Sequence, residues 1–587
     1  MTMFSKPRSL ALFLMVTGVA QAADNPADVR FKAIYTREWK WRQSRPGEED
    51  EDAGGRRRGI NPKLPRVDPA TQESRLAYWT DVLKQLSEIS VGTLSPAEQT
   101  NYAVYKAQIE ALLQSQKFRD FEMPVNSDTA FWSSIARTGR GQFRSAEDYR
   151  NYIARLNDVP RYFDDEIVNM KAGLKRGFTP PRVTLDGRDK SIESVTEAKS
   201  PESTAFYAPF TSFPDTIPAT EQAALRAEAV KAIRVSVIPS YLKLLKFMRN
   251  DYVPGSRTDL AADSLPGGPA YYQAKILEFT TTRMTPDEIH QTGLDEMAKI
   301  HAEMLETMKQ SGFKGDFPAF LEFLRKDPQF YAKTPEELLM RAAYIAKEFD
   351  GKASQYFGYL PRMRFAIVPV APDIAPFYTS ARGGPGTYLV NTYDLPSRSL
   401  YSLPALTLHE SAPGHAFQMP IAMEHKDLPA FRGEYISAFG EGWGLYCERL
   451  GTEMGMYHTP YEVFGMLSYQ AWRAARLVVD TGIHSKGWTR EQALKYLSDN
   501  TALSQHEVET ETDRYISWPG QALSYYLGEM AIWKARHKAE AALGAKFNLR
   551  AFHDTVLELG SAPLPVLEAR IDRFIAEGGK GPYPDLE

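Results

Sequence analysis

The chain has 587 residues, 43% of them hydrophobic and 25% charged, with a formal net charge of −4. This is the balance of a soluble globular protein with room for a large core, so neither a metal nor a disulfide is needed merely to fold. A charge of this sign and size argues against nucleic acid as an electrostatic partner, and a single cysteine, Cys447, excludes an intramolecular disulfide.

The chain opens MTMFSKPRSLALFLMVTGVAQAADN. Lys6 and Arg8 precede an apolar run from Leu10 to Val19, and Ala20-Gln21-Ala22 forms an A-x-A cleavage site. Residues 1–22 therefore read as a signal peptide cut after Ala22, with an apolar run too short to span a bilayer. The mature protein, from Ala23, is expected in the periplasm or outside the cell, with no membrane insertion. An acidic-then-basic stretch, PGEEDEDAGGRRRGINPKLP, follows and reads as a solvated loop.

From there to about residue 350 the pattern is helical. SPAEQTNYAVYKAQIEALLQSQ starts with a Ser cap and a Pro-Ala-Glu first turn, then repeats apolar residues at helical spacing. TPDEIHQTGLDEMAKIHAEMLETMKQSG does the same and should stop at Gly312, with His290 and His301 as surface or packing histidines. A soft boundary at Leu265-Pro-Gly-Gly-Pro divides a helical N-terminal subdomain, 23–265, from a second subdomain, 266–587. Residues 363–395, beginning MRFAIVPV, cluster β-branched and aromatic residues between Pro and Gly and read as two or three short strands. Helical patterns then run to the end. The fold class is mainly α with one small sheet, read as antiparallel, directly before the most informative segment.

That segment is LHESAPGHAFQ. It begins like H-E-x-x-H, whose histidines share a helix face because four residues turn about 400°. His409 and His415 are six apart, which on a straight helix leaves them about 120° apart with about 9 Å of rise. Pro413 and Gly414 stand between them. A proline at 413 clashes with the carbonyl of His409, and glycine permits backbone angles closed to other residues. Together they can bulge the chain out of the helix and bring His415 beside His409. Pro404 suits a helix start one turn before His409, and Glu410 stands where a general base follows a first ligand. A third ligand is sought downstream in YISAFGEGWGLYCERLGTEM, where Glu441 and Glu448 share a helix face. Glu441, between two glycines that permit close helix approach, is favoured as the ligand, with Glu448 orienting a ligand from behind. Two imidazoles and one carboxylate suit zinc, although they also compose the facial triad of non-haem iron oxygenases. Cys447 falls on the face opposite Glu441 and is expected to be buried and inert.

HESAPGHAFQ, SAFGEGWGLYCERLG, RLVVDTGIHSKGWTREQA and DRYISWPGQALSYYLGE together resemble the bacterial family known as domain of unknown function 885. That family is thought to be zincin-like and related to helical gluzincins such as thimet oligopeptidase, carboxypeptidase Taq and angiotensin-converting enzyme. The resemblance implies a helical clamshell with the small sheet beside the active-site helix. It also implies His409, His415 and Glu441 as metal ligands and Glu410 as base. The chain departs at Ala416, where many relatives carry a second histidine. Helical gluzincins supply a tyrosine or histidine from a C-terminal segment to the oxyanion, which points to Tyr525 or His484 here.

Two further groups stand near. Arg514 can bind a substrate carboxylate or pair with Glu509 or Glu511. Arg382, beside the Gly-Gly-Pro-Gly turn, can shape a strand edge to which a peptide adds. The expected function is an exported zinc metallopeptidase acting on short peptides. Its rivals are a zinc amidase on a non-peptide or cell-wall amide and an inactive helical peptide-binding protein.

Overall fold

The computed structural model of the protein describes residues 25–45, 59–372 and 375–584. The expected signal peptide and most of the acidic-then-basic stretch lie outside the described residues.

The helices start where the sequence supplies caps. Pro26–Gln43 (α1), Pro69–Ser87 (α2) and Pro96–Phe118 (α3) each have a proline in the first turn, behind a capping Asn25, Asp68 or Ser95. Pro286–Gln310 (α4) begins with a Thr285–Glu288 capping box, and the chain turns away at Gly312, which holds a φ of 76°. On α4, His290 Nδ1 lies 2.8 Å from Thr481 Oγ1 and His301 packs edge-on against Phe317, so both are packing histidines as expected.

Pro335–Tyr356 (α5) leads into three strands, Ala366–Pro369 (β1), Ala381–Gly384 (β2) and Thr387–Val390 (β3). Their order is β1-β3-β2, with β2 antiparallel to β3 and β1 parallel to it. The sheet is therefore mixed, not antiparallel as the sequence suggested. The two-residue turn at Pro385-Gly386 folds β2 and β3 into a hairpin, and β1 then takes the far side of β3, running in the same direction. Helices return as Leu403–Glu410 (α6), His415–Glu424 (α7), Ser437–Glu453 (α8), Pro460–Lys486 (α9), Gln505–Ser517 (α10) and Ser524–Leu543 (α11). Among the described residues no helix is long and apolar enough to cross a membrane.

The core has several centres. One, within residues 64–252, packs Trp132, Tyr152, Phe163 and Tyr241. A second joins the beginning of the chain to its end: Phe31 of α1 and Tyr105 of α3 pack with Phe431, Trp443 of α8 and Ile571. Arg432 crosses the same seam, its Nη1 donating to Asn101 Oδ1 at 2.7 Å. The third is built where α4 lies along α9. A small fourth centre, with Tyr388, Val390 and Leu403, seats the sheet on α5 and α6.

Helices α8 and α11 cross at Gly442 and Gly528 so closely that a Cβ on Gly528 would stand 2.0 Å from the Ala438 carbonyl oxygen. Gly528→Ala is therefore expected to cost about 1–3 kcal/mol by overpacking. Gly351→Ala, in α5 where an added Cβ meets nothing within 4 Å, should instead add about 0.5–1 kcal/mol through helix propensity. Thermal melting of the two variants should move in opposite directions.

Candidate metal centre

Helix α6 carries Pro404 in its first turn and ends at Glu410. Ser411 leaves the helix with φ −97° and ψ −110°, its hydroxyl turned back onto the Thr407 carbonyl. The chain then folds against the helix end, and the Gly414 N–H donates to the Leu408 carbonyl at 3.0 Å. A Cβ on Gly414 would lie 1.7 Å from the His409 carbonyl oxygen, so the close approach demands glycine. His415 opens α7 immediately afterwards. The expected bulge is thus a full break of four residues, with His409 near the end of one helix and His415 at the start of the next. Their rings stand 4.9 Å apart, nearly perpendicular at 86°.

Helix α8 brings its carboxylates to these rings. Glu441 Oε2 lies 3.5 Å from His409 Nε2 and 3.4 Å from His415 Nε2. Two atoms each bound at about 2.0–2.1 Å to a tetrahedral ion stand about 3.4 Å apart. Glu448, fully buried, places Oε1 2.8 Å from His409 Nδ1, which fixes the ring with Nε2 toward Glu441. One turn before Glu448, Gly444 leaves room for the ring: a Cβ there would sit 2.7–2.9 Å from its atoms. Donor atoms of His409, Glu410 and His415 also lie within 4.8 Å of one another. Glu410 is tied to the sheet, its Oε2 accepting the Gly383 N–H of β2 at 2.6 Å. The group can hold a divalent metal ion.

The electrostatics agree with that geometry. Burial would push the His409 imidazole down, but Glu441, Glu448 and the charge of Glu410 outweigh it and raise the ring to about 10. Burial would likewise raise Glu441, yet the His415 and His409 rings hold it well below the usual carboxylate range. Three carboxylates around two imidazoles make a pocket that takes up positive charge, as a proton or as a metal ion.

The other residues singled out from the sequence separate clearly. His484 does not face a reacting group: its Nδ1 accepts the Ala262 N–H at 3.1 Å and its Nε2 lies 2.8 Å from the Tyr515 carbonyl oxygen. Full burial pushes it down to about 3, and both nitrogens are spent on backbone, so the expectation of an oxyanion role is corrected. Arg514 takes the structural alternative, a paired bridge to Glu511 at 3.1 and 2.7 Å with Gln521 on its third nitrogen. Tyr525, in the first turn of α11, lies with its ring under the Arg476 guanidinium at 4.2 Å and is close enough to Tyr435 to bear on its ionisation. Arg382 stands on β2 opposite Leu389, facing outward. Cys447 is buried, and burial with the nearby Glu448 charge raises its thiol well above the ordinary value.

Sequence reasoning missed three parts. Tyr435, ahead of α8, donates its hydroxyl to Glu441 Oε1 at 3.0 Å. Enclosure of that hydroxyl, together with the Glu441 charge, raises the phenol well above its ordinary value. Arg473 of α9 stands 3.6 Å from Glu448 Oε1, stacked on the Trp472 ring at 4.0 Å. The Gly383 amide is the third; only its place on an edge strand was visible.

Residues 49–571 match the model of a family described as bacterial protein of unknown function, DUF885. The chain belongs to that family. The crystal structure of a provisionally named lipoprotein from Colwellia psychrerythraea superposes with a TM-score of 0.85 at 26% identity, covering 94% of this chain and 98% of that one. A provisionally named lipoprotein of unknown function from Shewanella oneidensis gives 0.65 at 18% identity, covering 92% and 98%, and shares the fold. An M32 carboxypeptidase from Deinococcus radiodurans R1 gives only 0.32 at 13% identity, covering 87% and 99%, a likeness too weak to argue from. Comparison with curated proteins gives no match.

Because the metal-free His409 ring holds its proton up to about pH 10, metal uptake at neutral pH should expel about one proton, with affinity rising with pH. Calorimetry in buffers of different ionisation heat reads that proton directly. Uptake without proton release would contradict the arrangement.

Proposed function

We propose that this protein is an exported, zinc-dependent metallopeptidase acting on short peptides, with His409, His415 and Glu441 as metal ligands and Glu410 as general base. The observation that carries the reading is the meeting of Glu441 Oε2 with two imidazole nitrogens at 3.4–3.5 Å, beside a carboxylate anchored to a strand. Two neutral imidazoles and a carboxylate are a donor set that zinc accepts with a position to spare. Zinc held there supplies Lewis acidity toward a carbonyl and toward water.

The chain's own residues do the rest. Glu410 keeps Oε2 on the Gly383 N–H, which leaves Oε1 to take the proton of the attacking water. As the water oxygen bonds to the carbonyl carbon and the C–N bond breaks, Glu410 returns that proton to the leaving nitrogen. Tyr525, on the first turn of α11, is the member of the expected pair that remains for the carbonyl oxygen. Among the described strands β2 pairs with β3 alone; its Gly383 N–H is given to Glu410, so an extended peptide adding to this edge would use the other backbone groups of the strand. Exposures of 2% for His409 and 5% for His415 support a reading in which a threaded segment, rather than a folded protein, would reach these rings. Export is supported by the signal-like first 22 residues and by the lipoprotein name of the similar crystal structure from Colwellia psychrerythraea.

Purified mature protein should carry about one zinc per chain, and Glu410→Gln should keep the metal while losing about 10²–10⁴-fold in turnover. A peptide-library digest read by mass spectrometry measures the activity, and elemental analysis measures the zinc. Zinc-loaded wild type that cleaves amides other than peptides would move the reading to an amidase. Loaded protein that binds peptides and cleaves nothing would make it a binding protein.

A further inference from the structure

The two oxygens of Glu441 are used differently. Oε2 faces both imidazoles at 3.4–3.5 Å, whereas Oε1 accepts the Tyr435 hydroxyl at 3.0 Å. A carboxylate can give a metal one oxygen or two, and the second oxygen of a bidentate glutamate would fill a position that a hydrolytic site keeps open. Nothing in the helix itself decides between the two modes.

Tyr435 is placed to decide it. Its ring lies on the bare backbone of Gly440, where a Cβ would stand 2.2–2.4 Å from Cε2, Cζ and the hydroxyl. The same ring lies 6.4 Å from His415 and leaves 45% of the residue exposed. The phenol thus spans from the surface to the carboxylate, seated on a helix position that only glycine fits. We infer that Tyr435 is a positioning residue: by holding Glu441 Oε1, it commits Oε2 alone to the metal and keeps one coordination position free. This rests on the metal-ligand assignment above. It goes further by assigning control of the coordination number to a residue outside the ligand set.

The test uses Co2+ in place of zinc, because four-coordinate cobalt absorbs visible light more strongly than five-coordinate cobalt. Tyr435→Phe keeps the ring on Gly440 and removes only the hydroxyl. Gly440→Ala keeps the hydroxyl and displaces the ring. Both should weaken metal affinity about 10–100-fold, the usual range for such supporting contacts, measured by competition with a chelator. Both should also reduce the cobalt visible bands toward the five-coordinate intensity while circular dichroism stays native. Native-like affinity and an unchanged cobalt spectrum in Tyr435→Phe would overturn the inference. If wild-type protein itself binds no metal, the ligand assignment fails first, which separates the two outcomes.

Discussion

The site depends on the exclusion of side chains from the surface around His409. Its carbonyl oxygen is approached by Gly414 so closely that a Cβ there would overlap it at 1.7 Å, and its ring is overlaid by Gly444 at 2.7–2.9 Å. The first contact lets the chain reverse and start a new helix at His415. The second lets α8 come near enough for Glu441 to reach both rings. Neither approach survives a methyl group without movement of backbone or ring, so two glycines fix the geometry as firmly as the polar contacts do. The nearby crossing of α8 and α11 at Gly442 and Gly528 extends the same device. There Ala438, whose carbonyl Gly528 touches, lies three residues before Glu441.

Charge accounts for the order of the layers. Glu448 has no exposed surface, and burying a carboxylate is costly unless it is paired and hydrogen-bonded. It meets His409 at 2.8 Å and Arg473 at 3.6 Å, while Arg473 is itself held by stacking on Trp472 and Tyr469 at 4.0 and 4.5 Å. The layer behind His409 therefore approaches neutrality through Arg473. The layer in front, with Glu410 and Glu441, keeps an excess of negative charge directed at the convergence of the two rings. That asymmetry favours positive charge at the convergence.

Much of this layout is legible in the sequence, and the illegible parts have physical reasons. The break between His409 and His415 can be read because Pro413 and Gly414 are local obstacles to a helix, and local rules suffice. The placement of Glu441 and Glu448 on one face follows from helical period alone. His484 was misjudged because its two partners, Ala262 and Tyr515, come from distant segments that no spacing links to it. The parallel pairing of β1 depends on which edge of the hairpin it joins, and the packing of α1 and α3 against the chain's last helices is equally non-local. Tyr435 lies ahead of its helix and outside any periodicity. Its one trace in the sequence is Gly440, and the ring that this glycine accommodates is visible only in three dimensions.

The distribution of rigidity has a consequence for chemistry. His409 is held at its ring, its Nδ1 and its backbone; Glu410 is held by Gly383 on β2; His415 starts a helix whose first residues are buried. Each of these groups is supported by an element that cannot move without disturbing a packed core. Glu441 is held at Oε1 by the hydroxyl of Tyr435, a residue that is 45% exposed. On the reading proposed above, a metal held there would need its donors fixed and one coordination position open. The groups held by buried elements lie on α6, α7 and β2. Glu441, on α8, is met by the partly exposed Tyr435, so under the metal assignment proposed above a contact that reaches the surface would set how that carboxylate meets the ion.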